Sequence, residues 1–236
     1  MIAENIAGVR ARIDAAASKA GRGASDVTLV AVTKEVDDEK ARQAIANGLI
    51  DLGENRVQEL RKKQEALGDL DVRWHMIGPL QRNKVSQVVG KVVLIHSVDS
   101  DRLGAEIAKR AEAQGLRQDV LLEVNAGEEE QKHGVAPADA VEAARGLLEM
   151  KGLQLRGLMT VAPQGDIEAA RRAFRTLREL RDTIQRHAPE VTELSMGMTE
   201  DFEVAIAEGA TIVRVGTAIF GARASQDGMK ATGSGK

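Results

Sequence analysis

Apolar positions follow two spacings along the chain, and together they predict a repeating order of helices and strands. Ile2, Ile6, Val9 and Ile13 predict an amphipathic N-terminal helix over residues 2–17. Short, nearly all-apolar runs then predict eight strands, at residues 27–33, 49–52, 72–77, 92–97, 120–125, 153–160, 191–196 and 211–215. Segments of helical periodicity alternate with them, at residues 37–47, 57–67, 80–89, 102–114, 138–150, 167–186 and 200–208.

This alternation predicts a parallel sheet covered by helices, because strands buried on both faces are continuous apolar runs. Eight units in about 210 residues fit an α/β fold, a single (β/α)8 TIM-type barrel with an extra N-terminal helix. A doubly wound open sheet is the alternative. No linker rich in Pro, Gly or Ser divides the chain, so we expect one barrel domain at 1–225 and a disordered C-terminal tail at 226–236.

Composition excludes several classes of function. The 236 residues include 33 basic and 36 acidic side chains, a net charge of −3 that argues against a nucleic-acid binder. The absence of cysteine excludes disulfides and thiolate chemistry, and four histidines on separate elements show no metal-ligand spacing, so we predict no metal. No apolar run approaches the ~18 residues of a membrane span. We expect a soluble, cytoplasmic protein that is a monomer, since no large apolar surface stripe remains unassigned.

A lysine at the end of the first predicted strand is the first candidate for chemistry. Active sites of such barrels lie at the C-terminal ends of the strands. Alternation puts Val30, Val32 and Lys34 on one face, so Lys34 would stand at the mouth of the barrel on an apolar stem. Desolvation there lowers the pKa of a lysine and makes its amine a nucleophile toward a carbonyl. A solvated lysine at a strand end is the alternative interpretation.

Polar residues also occur on the second and third strands. The second strand ends at Asn55, and the third contains His75, which is either a polar group of the barrel interior or a satisfied core histidine. Trp74 and Met76 are expected to pack against helices. The loop at 128–133, after the fifth strand, changes from acidic to basic, and its role stays open.

The loops after strands seven and eight have the composition of a phosphate site. Ser195, Gly197 and Thr199 follow strand seven, and Gly216 and Thr217 follow strand eight. Barrels commonly bind phosphate at these two loops through glycine N–H groups and hydroxyls. Ordinary turn chemistry, with Thr199 as a helix N-cap, is the alternative.

An arginine on strand eight connects these candidates. Arg214 shares a face with Ile212, and strand eight adjoins strand one when a barrel closes. A buried arginine needs an acceptor, from the protein or from a ligand. A Schiff-base lysine, a phosphate cradle and an arginine between them suggest an aldehyde with a phosphate and a basic ring nitrogen. Pyridoxal 5′-phosphate (PLP) has all three features.

Six segments of the chain resemble the pyridoxal phosphate homeostasis protein (YggS/PROSC) family. They are 30–34 (VAVTK), 53–59 (GENRVQE), 74–84 (WHMIGPLQRNK), 157–160 (GLMT), 195–199 (SMGMT) and 213–221 (VRVGTAIFG). The resemblance runs from about residue 1 to residue 223, and the family looks like the barrel domain of alanine racemase standing alone. Arg56 stands where many members have tyrosine, and Met76 where many have phenylalanine.

The resemblance implies a set of roles for the candidate residues. It implies PLP held as an internal aldimine on Lys34 and Arg214 facing the pyridine nitrogen. It implies phosphate contacts from the candidates in the two loops, which are Ser195, Gly197, Thr199, Gly216 and Thr217. We place Asn55 and His75 in the same cofactor site. The family is thought to buffer or deliver PLP in the cytoplasm, which makes PLP-dependent apo-enzymes the candidate recipients.

Two kinds of function follow, a PLP carrier without robust turnover and a PLP enzyme such as an amino-acid racemase. A cationic arginine at the ring nitrogen leaves it unprotonated and only weakly stabilises carbanions. Racemases on this barrel also use a tyrosine as second base, and the chain contains no tyrosine. We therefore expect a carrier with no catalytic residue. A Schiff-base aldolase on a sugar phosphate is a third interpretation, and it predicts a colourless protein.

Overall fold

The computed structural model describes residues 1–129 and 133–221. The predicted tail at 226–236 and part of the loop at 128–133 lie outside the described residues.

Eight strands form a closed barrel in which every neighbouring pair is parallel. They are β1 (Thr28–Val32), β2 (Asp51–Glu54), β3 (Arg73–Met76), β4 (Leu94–Val98), β5 (Gln118–Glu123), β6 (Leu153–Met159), β7 (Glu193–Ser195) and β8 (Ile212–Val215). β1 pairs with β8 from Thr28 opposite Ile212 to Ala31 opposite Val215, which closes the barrel. The predicted barrel is confirmed, and the open sheet is wrong.

Helices cover the barrel in the predicted order. They are α1 (Ile2–Lys19), α2 (Asp38–Ala46), α3 (Val57–Ala66), α4 (Asp101–Ala113), α5 (Ala140–Leu148), α6 (Ile167–Gln185), α7 (Phe202–Ala207) and α8 (Thr217–Phe220). Short 3₁₀ helices lie at Ala24–Asp26, Arg82–Gln87 and Pro137–Asp139. Within the described ranges, no helix has the length and apolar character needed to cross a membrane.

The segment at 80–89 differs from its prediction, because it forms the 3₁₀ helix Arg82–Gln87 and not an α-helix. Its backbone makes i to i+3 bonds, as from Val88 N to the Val85 carbonyl oxygen. Three valines together with Asn83 and Ser86 have low helix propensity, and Gly90, at φ +75°, ends the segment. The short α8 after β8 was not predicted.

Two apolar clusters form the core. The larger lies between strands and helices and includes Trp74 and Met76, as predicted. The smaller fills the barrel interior and contains only five buried side chains, Val30, Leu94, Leu121, Met159 and Ile212. Because side chains alternate along a strand, every second residue from these five also faces inward. The inward positions nearer the strand ends are polar, and they form the candidate site.

Helix α1 supports the side of the barrel where the chain closes. Ile6, Val9 and Ile13 are buried as predicted, and the helix packs against α2, α7 and α8. Arg12 forms an ion pair with Glu203 at 2.7 Å and stacks on the ring of Phe202. The extra N-terminal helix thus braces α7, and with it the loop after β7.

Candidate functional site

A cavity of about 420 Å³ opens at the C-terminal ends of the strands, a size typical of small-molecule sites. Its walls are the loops at 163–167 after β6 and 198–201 after β7, together with Val32, Arg214 and residues 216–217. Four predicted site residues therefore line it, namely Thr199, Arg214, Gly216 and Thr217. This is the end of the barrel at which the sequence placed the chemistry.

Lys34 lies in the turn directly after β1 and is half-buried. Val32, on the same face, is part of the cavity wall. Glu35 has φ +60°, so the chain turns sharply after the lysine. The Lys34 amine donates to no acceptor among the described residues, and the structure thus leaves it available for a ligand.

A buried ion pair fixes the backbone immediately before Lys34. The Glu54 Oε1 atom accepts from the Thr33 hydroxyl at 2.7 Å and from Lys63 Nζ at 2.6 Å. Lys63 Nζ also donates to the Thr33 carbonyl oxygen. Burial raises the pKa of Glu54, and Lys63 and Thr33 oppose that rise. The sequence analysis missed this pair, although Lys63 follows Val57 and Leu60 on the buried face of α3.

Asn55 directly follows β2 and has an unused acceptor. β2 pairs with β1 through Ala31 opposite Leu52 and Val32 opposite Gly53, so Asn55 and Lys34 leave neighbouring strands at the same end of the barrel. The Asn55 Oδ1 atom is buried and has no hydrogen-bond partner among the described residues. A buried polar atom without a partner costs about 1–3 kcal/mol. Such an atom is suited to a donor that a ligand, or Lys34 itself, would bring.

The loop after β7 presents backbone donors to the cavity. Gly197 has φ +96°, and a Cβ there would lie 2.6 Å from the Cβ of Ala205, so only glycine allows this approach to α7. Among the described residues, the N–H groups of Thr199 and Glu200 have no acceptor. Asp201 also lines the cavity, but its Oδ1 atom accepts from Met198 N at 2.5 Å. The open N–H groups are suited to an anion.

Arg214 is 4% exposed and reaches the cavity wall from the interior. Its Nη1 donates to Ser195 Oγ at 2.6 Å, and its Nη2 donates to the Thr160 carbonyl oxygen at 2.9 Å. Burial lowers the pKa of Arg214 to about 10, against the opposing effect of Glu123 and Asp201. The guanidinium therefore stays charged at neutral pH. Ser195 is fully buried beneath it and does not line the cavity, although the sequence suggested a phosphate contact.

Two histidines continue this contact across the barrel interior. His96 Nδ1 lies 2.8 Å from Ser195 Oγ, and His96 Nε2 lies 3.0 Å from His75 Nδ1. His75 Nε2 lies 2.9 Å from Asp51 Oδ1, at the start of β2. Both ring nitrogens of His75 are thus engaged with protein partners inside the barrel, which agrees with the interior polar group that the sequence allowed. The sequence analysis missed His96, which alternation with Leu94 on β4 would have pointed inward.

Glu123, at the end of β5, is a further inward-facing residue that the sequence analysis missed. It is 7% exposed and shares its face with Leu121. Burial, followed by the charge of Asp99, raises the pKa of Glu123 to about 7. His133 Nδ1 lies 4.0 Å from Asp99 Oδ2 nearby, but no three side chains of the described residues form a possible metal site.

Comparisons with known proteins agree with this arrangement. The family model described as alanine racemase, N-terminal domain, matches residues 5–224. A pyridoxal phosphate homeostasis protein of Aquifex aeolicus is 50% identical over 222 residues, which span 93% of this chain and 97% of that protein. PipY of Synechococcus elongatus with PLP bound is 37% identical, with a TM-score of 0.82 over 94% of this chain and 100% of that one. The structure of the same protein without PLP is 38% identical, with a TM-score of 0.85 over 94% of this chain and 100% of that one.

Proposed function

This chain belongs to the pyridoxal phosphate homeostasis protein family, and on that premise we propose that it binds PLP at the mouth of its barrel. The proposed role is to hold PLP and keep it available in the cell, without turnover of a substrate. One juxtaposition carries the proposal. Among the described residues, the amine of Lys34 and the buried Oδ1 of Asn55 have no hydrogen-bond partner, and they follow β1 and β2 at the end of the barrel where a cavity opens between the loops after β7 and β8.

The residues present offer donors for the phosphate and the ring nitrogen of PLP. The phosphate is assigned to the open N–H groups of Thr199 and Glu200 and to the hydroxyl of Thr217. Gly216 leaves space at this part of the cavity wall, because a Cβ there would lie 3.3 Å from the Cβ of Val32. Arg214 is the donor for the ring nitrogen, with Ser195 and His75 as its supports. Asn55 Oδ1 is the acceptor for a donor at the other end of the ligand.

We assign the covalent contact to Lys34. Lys34 Nζ would hold PLP through its aldehyde carbon, a C=N bond taking the place of the C=O bond with the loss of one water molecule. PLP bound in this way supplies an electron sink, and the protein sets how strong that sink is. Arg214 disfavours a proton on the ring nitrogen, because it stays charged itself. Together with the lack of tyrosine, this supports storage of PLP and argues against racemisation.

The proposal includes a cytoplasmic monomer that hands PLP to PLP-dependent apo-enzymes. Nothing in the chain's charge suggests an additional nucleic-acid partner, since basic and acidic side chains nearly balance at 33 and 36.

Absorbance of the purified protein tests the proposal. A Schiff base between PLP and lysine absorbs near the visible, and Lys34→Ala should remove that band while leaving the fold intact. Lys84→Ala is the matched control, because Lys84 is also half-buried and follows β3, two strands away from β1 in the barrel. A colourless wild-type protein that gains no band with added PLP would refute the proposal and favour the aldolase.

A further inference from the structure

The barrel interior holds a continuous row of polar contacts that ends at Arg214, the residue that the proposed function assigns to the ring nitrogen of PLP. We name it the interior chain, and its members are Asp51, His75, His96, Ser195 and Arg214, one from each of β2, β3, β4, β7 and β8. The row runs from the N-terminal end of the barrel, where Asp51 begins β2, to the cavity wall at Arg214.

The residues at the two ends of the interior chain determine the direction in which its hydrogen bonds donate. Arginine can only donate, and an ionised carboxylate can only accept. Arg214 must therefore donate to Ser195, and His75 must donate to Asp51 through its Nε2–H. Since the Ser195 oxygen accepts from Arg214, the Ser195 hydroxyl donates its own proton to Nδ1 of His96. A neutral His96 then carries its proton on Nε2 and donates it to Nδ1 of His75.

Charge and burial require His96 to be neutral. It is fully buried, and burial, His75 and Arg214, in that order, lower its pKa well below the usual value. The opposite tautomer would leave the Ser195 hydroxyl with two donors and no acceptor for its own proton, because no other acceptor lies within reach among the described residues. A buried hydroxyl without an acceptor is costly.

We infer that His96 is a positioning residue of the PLP site, resting this on the proposed function. As acceptor it orients the Ser195 hydroxyl so that the lone pairs of Ser195 face Arg214. This contact and the Thr160 carbonyl oxygen hold the guanidinium in one orientation at the cavity wall. His75, which bonds to Asp51, fixes the tautomer of His96 on the side of the ring away from Ser195.

The tautomer is measurable without PLP. Imidazole ¹⁵N–¹H correlation spectra of the ligand-free wild-type protein at pH 7 distinguish the two neutral forms. The expected result is a proton on Nε2 and none on Nδ1, for both His96 and His75. A proton on Nδ1 of His96 would overturn the inference and leave the proposed function standing.

Two substitutions test the link to the ligand by equilibrium binding of PLP. His96→Leu keeps volume but removes the acceptor, and we expect affinity about tenfold weaker, which equals ~1.4 kcal/mol. His96→Asn places an amide oxygen near the position of Nδ1, and it should restore affinity to within about threefold of the wild type.

Ser97→Ala is the control, because Ser97 is buried on the same strand but bonds to the Gly78 carbonyl oxygen, away from the interior chain. Its PLP affinity should equal that of the wild type. Equal affinity in His96→Leu, or no recovery in His96→Asn, contradicts a positioning role. Failure of the wild type to bind PLP refutes the proposed function instead, and the tautomer measurement still decides the direction of the chain.

Discussion

The buried pair of Glu54 and Lys63 offers a direct test of how the lysine turn is held. Lys63→Met removes the cation but preserves the length of the side chain. The side chains of Lys63 and Glu54 are 7% and 0% exposed, so the substitution leaves an uncompensated carboxylate in the core. Breaking such a pair costs about 3–5 kcal/mol. Since Glu54 can relieve part of this by taking up a proton, we expect the lower end, about 3 kcal/mol.

Urea unfolding at pH 7, followed by circular dichroism, measures this loss. Arg110→Met is the matched control, because Arg110 bonds to Glu106 at 2.7 Å on the surface and should cost at most about 1 kcal/mol. The double variant Glu54→Gln with Lys63→Met should recover much of the loss, since no charge remains buried. A loss below about 1 kcal/mol for Lys63→Met, or a double variant as unstable as the single one, would refute the reasoning.

Three further outcomes follow from the site. Gly197→Ala should lower the free energy of unfolding by about 2–4 kcal/mol, because Gly197 has a positive φ and lies close to Ala205. Gly165→Ala, at φ +81° in open space, is the control and should cost about 1 kcal/mol. Thermal unfolding of the two variants measures the difference. Glu123→Gln should stabilise the fold at pH 8 by up to about 3 kcal/mol and have little effect at pH 4. The reason is that a carboxyl whose pKa rises from 4.5 to about 7 on folding opposes folding as the pH increases, and equal melting-temperature shifts at both pH values would contradict it. The PLP-loaded protein should produce no D-alanine from L-alanine at an enzymatic rate, and chiral chromatography showing turnover near ~10 s⁻¹ would make it a racemase.

Strand alternation predicted most of what the backbone determines. The barrel, the N-terminal helix and the inward direction of Arg214 all follow from the spacing of apolar residues, because a closed parallel barrel admits only one pattern of inward and outward positions. The loops after β7 and β8, to which the sequence assigns a phosphate because of their glycine and hydroxyl residues, lie in the wall of the cavity.

Strand alternation does not predict which inward residues contact one another when they are far apart in the sequence. His75 pairs with His96 and Asp51 only because β2, β3 and β4 are neighbours at a particular register, and no local pattern encodes that register. The apolar cluster of the barrel interior is small, so the polar residues that point inward form hydrogen bonds with one another inside the barrel. The phosphate contact of Ser195 stays a prediction, and in the structure its hydroxyl oxygen accepts from the buried guanidinium of Arg214.

Reduction of the PLP-loaded protein with borohydride, followed by mass spectrometry of its peptides, tests the central claim most directly. Borohydride converts a Schiff base into a stable secondary amine at whichever lysine carries the ligand. The account predicts one pyridoxyl adduct, on the peptide that contains Lys34, and none in the Lys34→Ala variant. An adduct on Lys63, Lys84 or another lysine, with Lys34 unmodified, would contradict it.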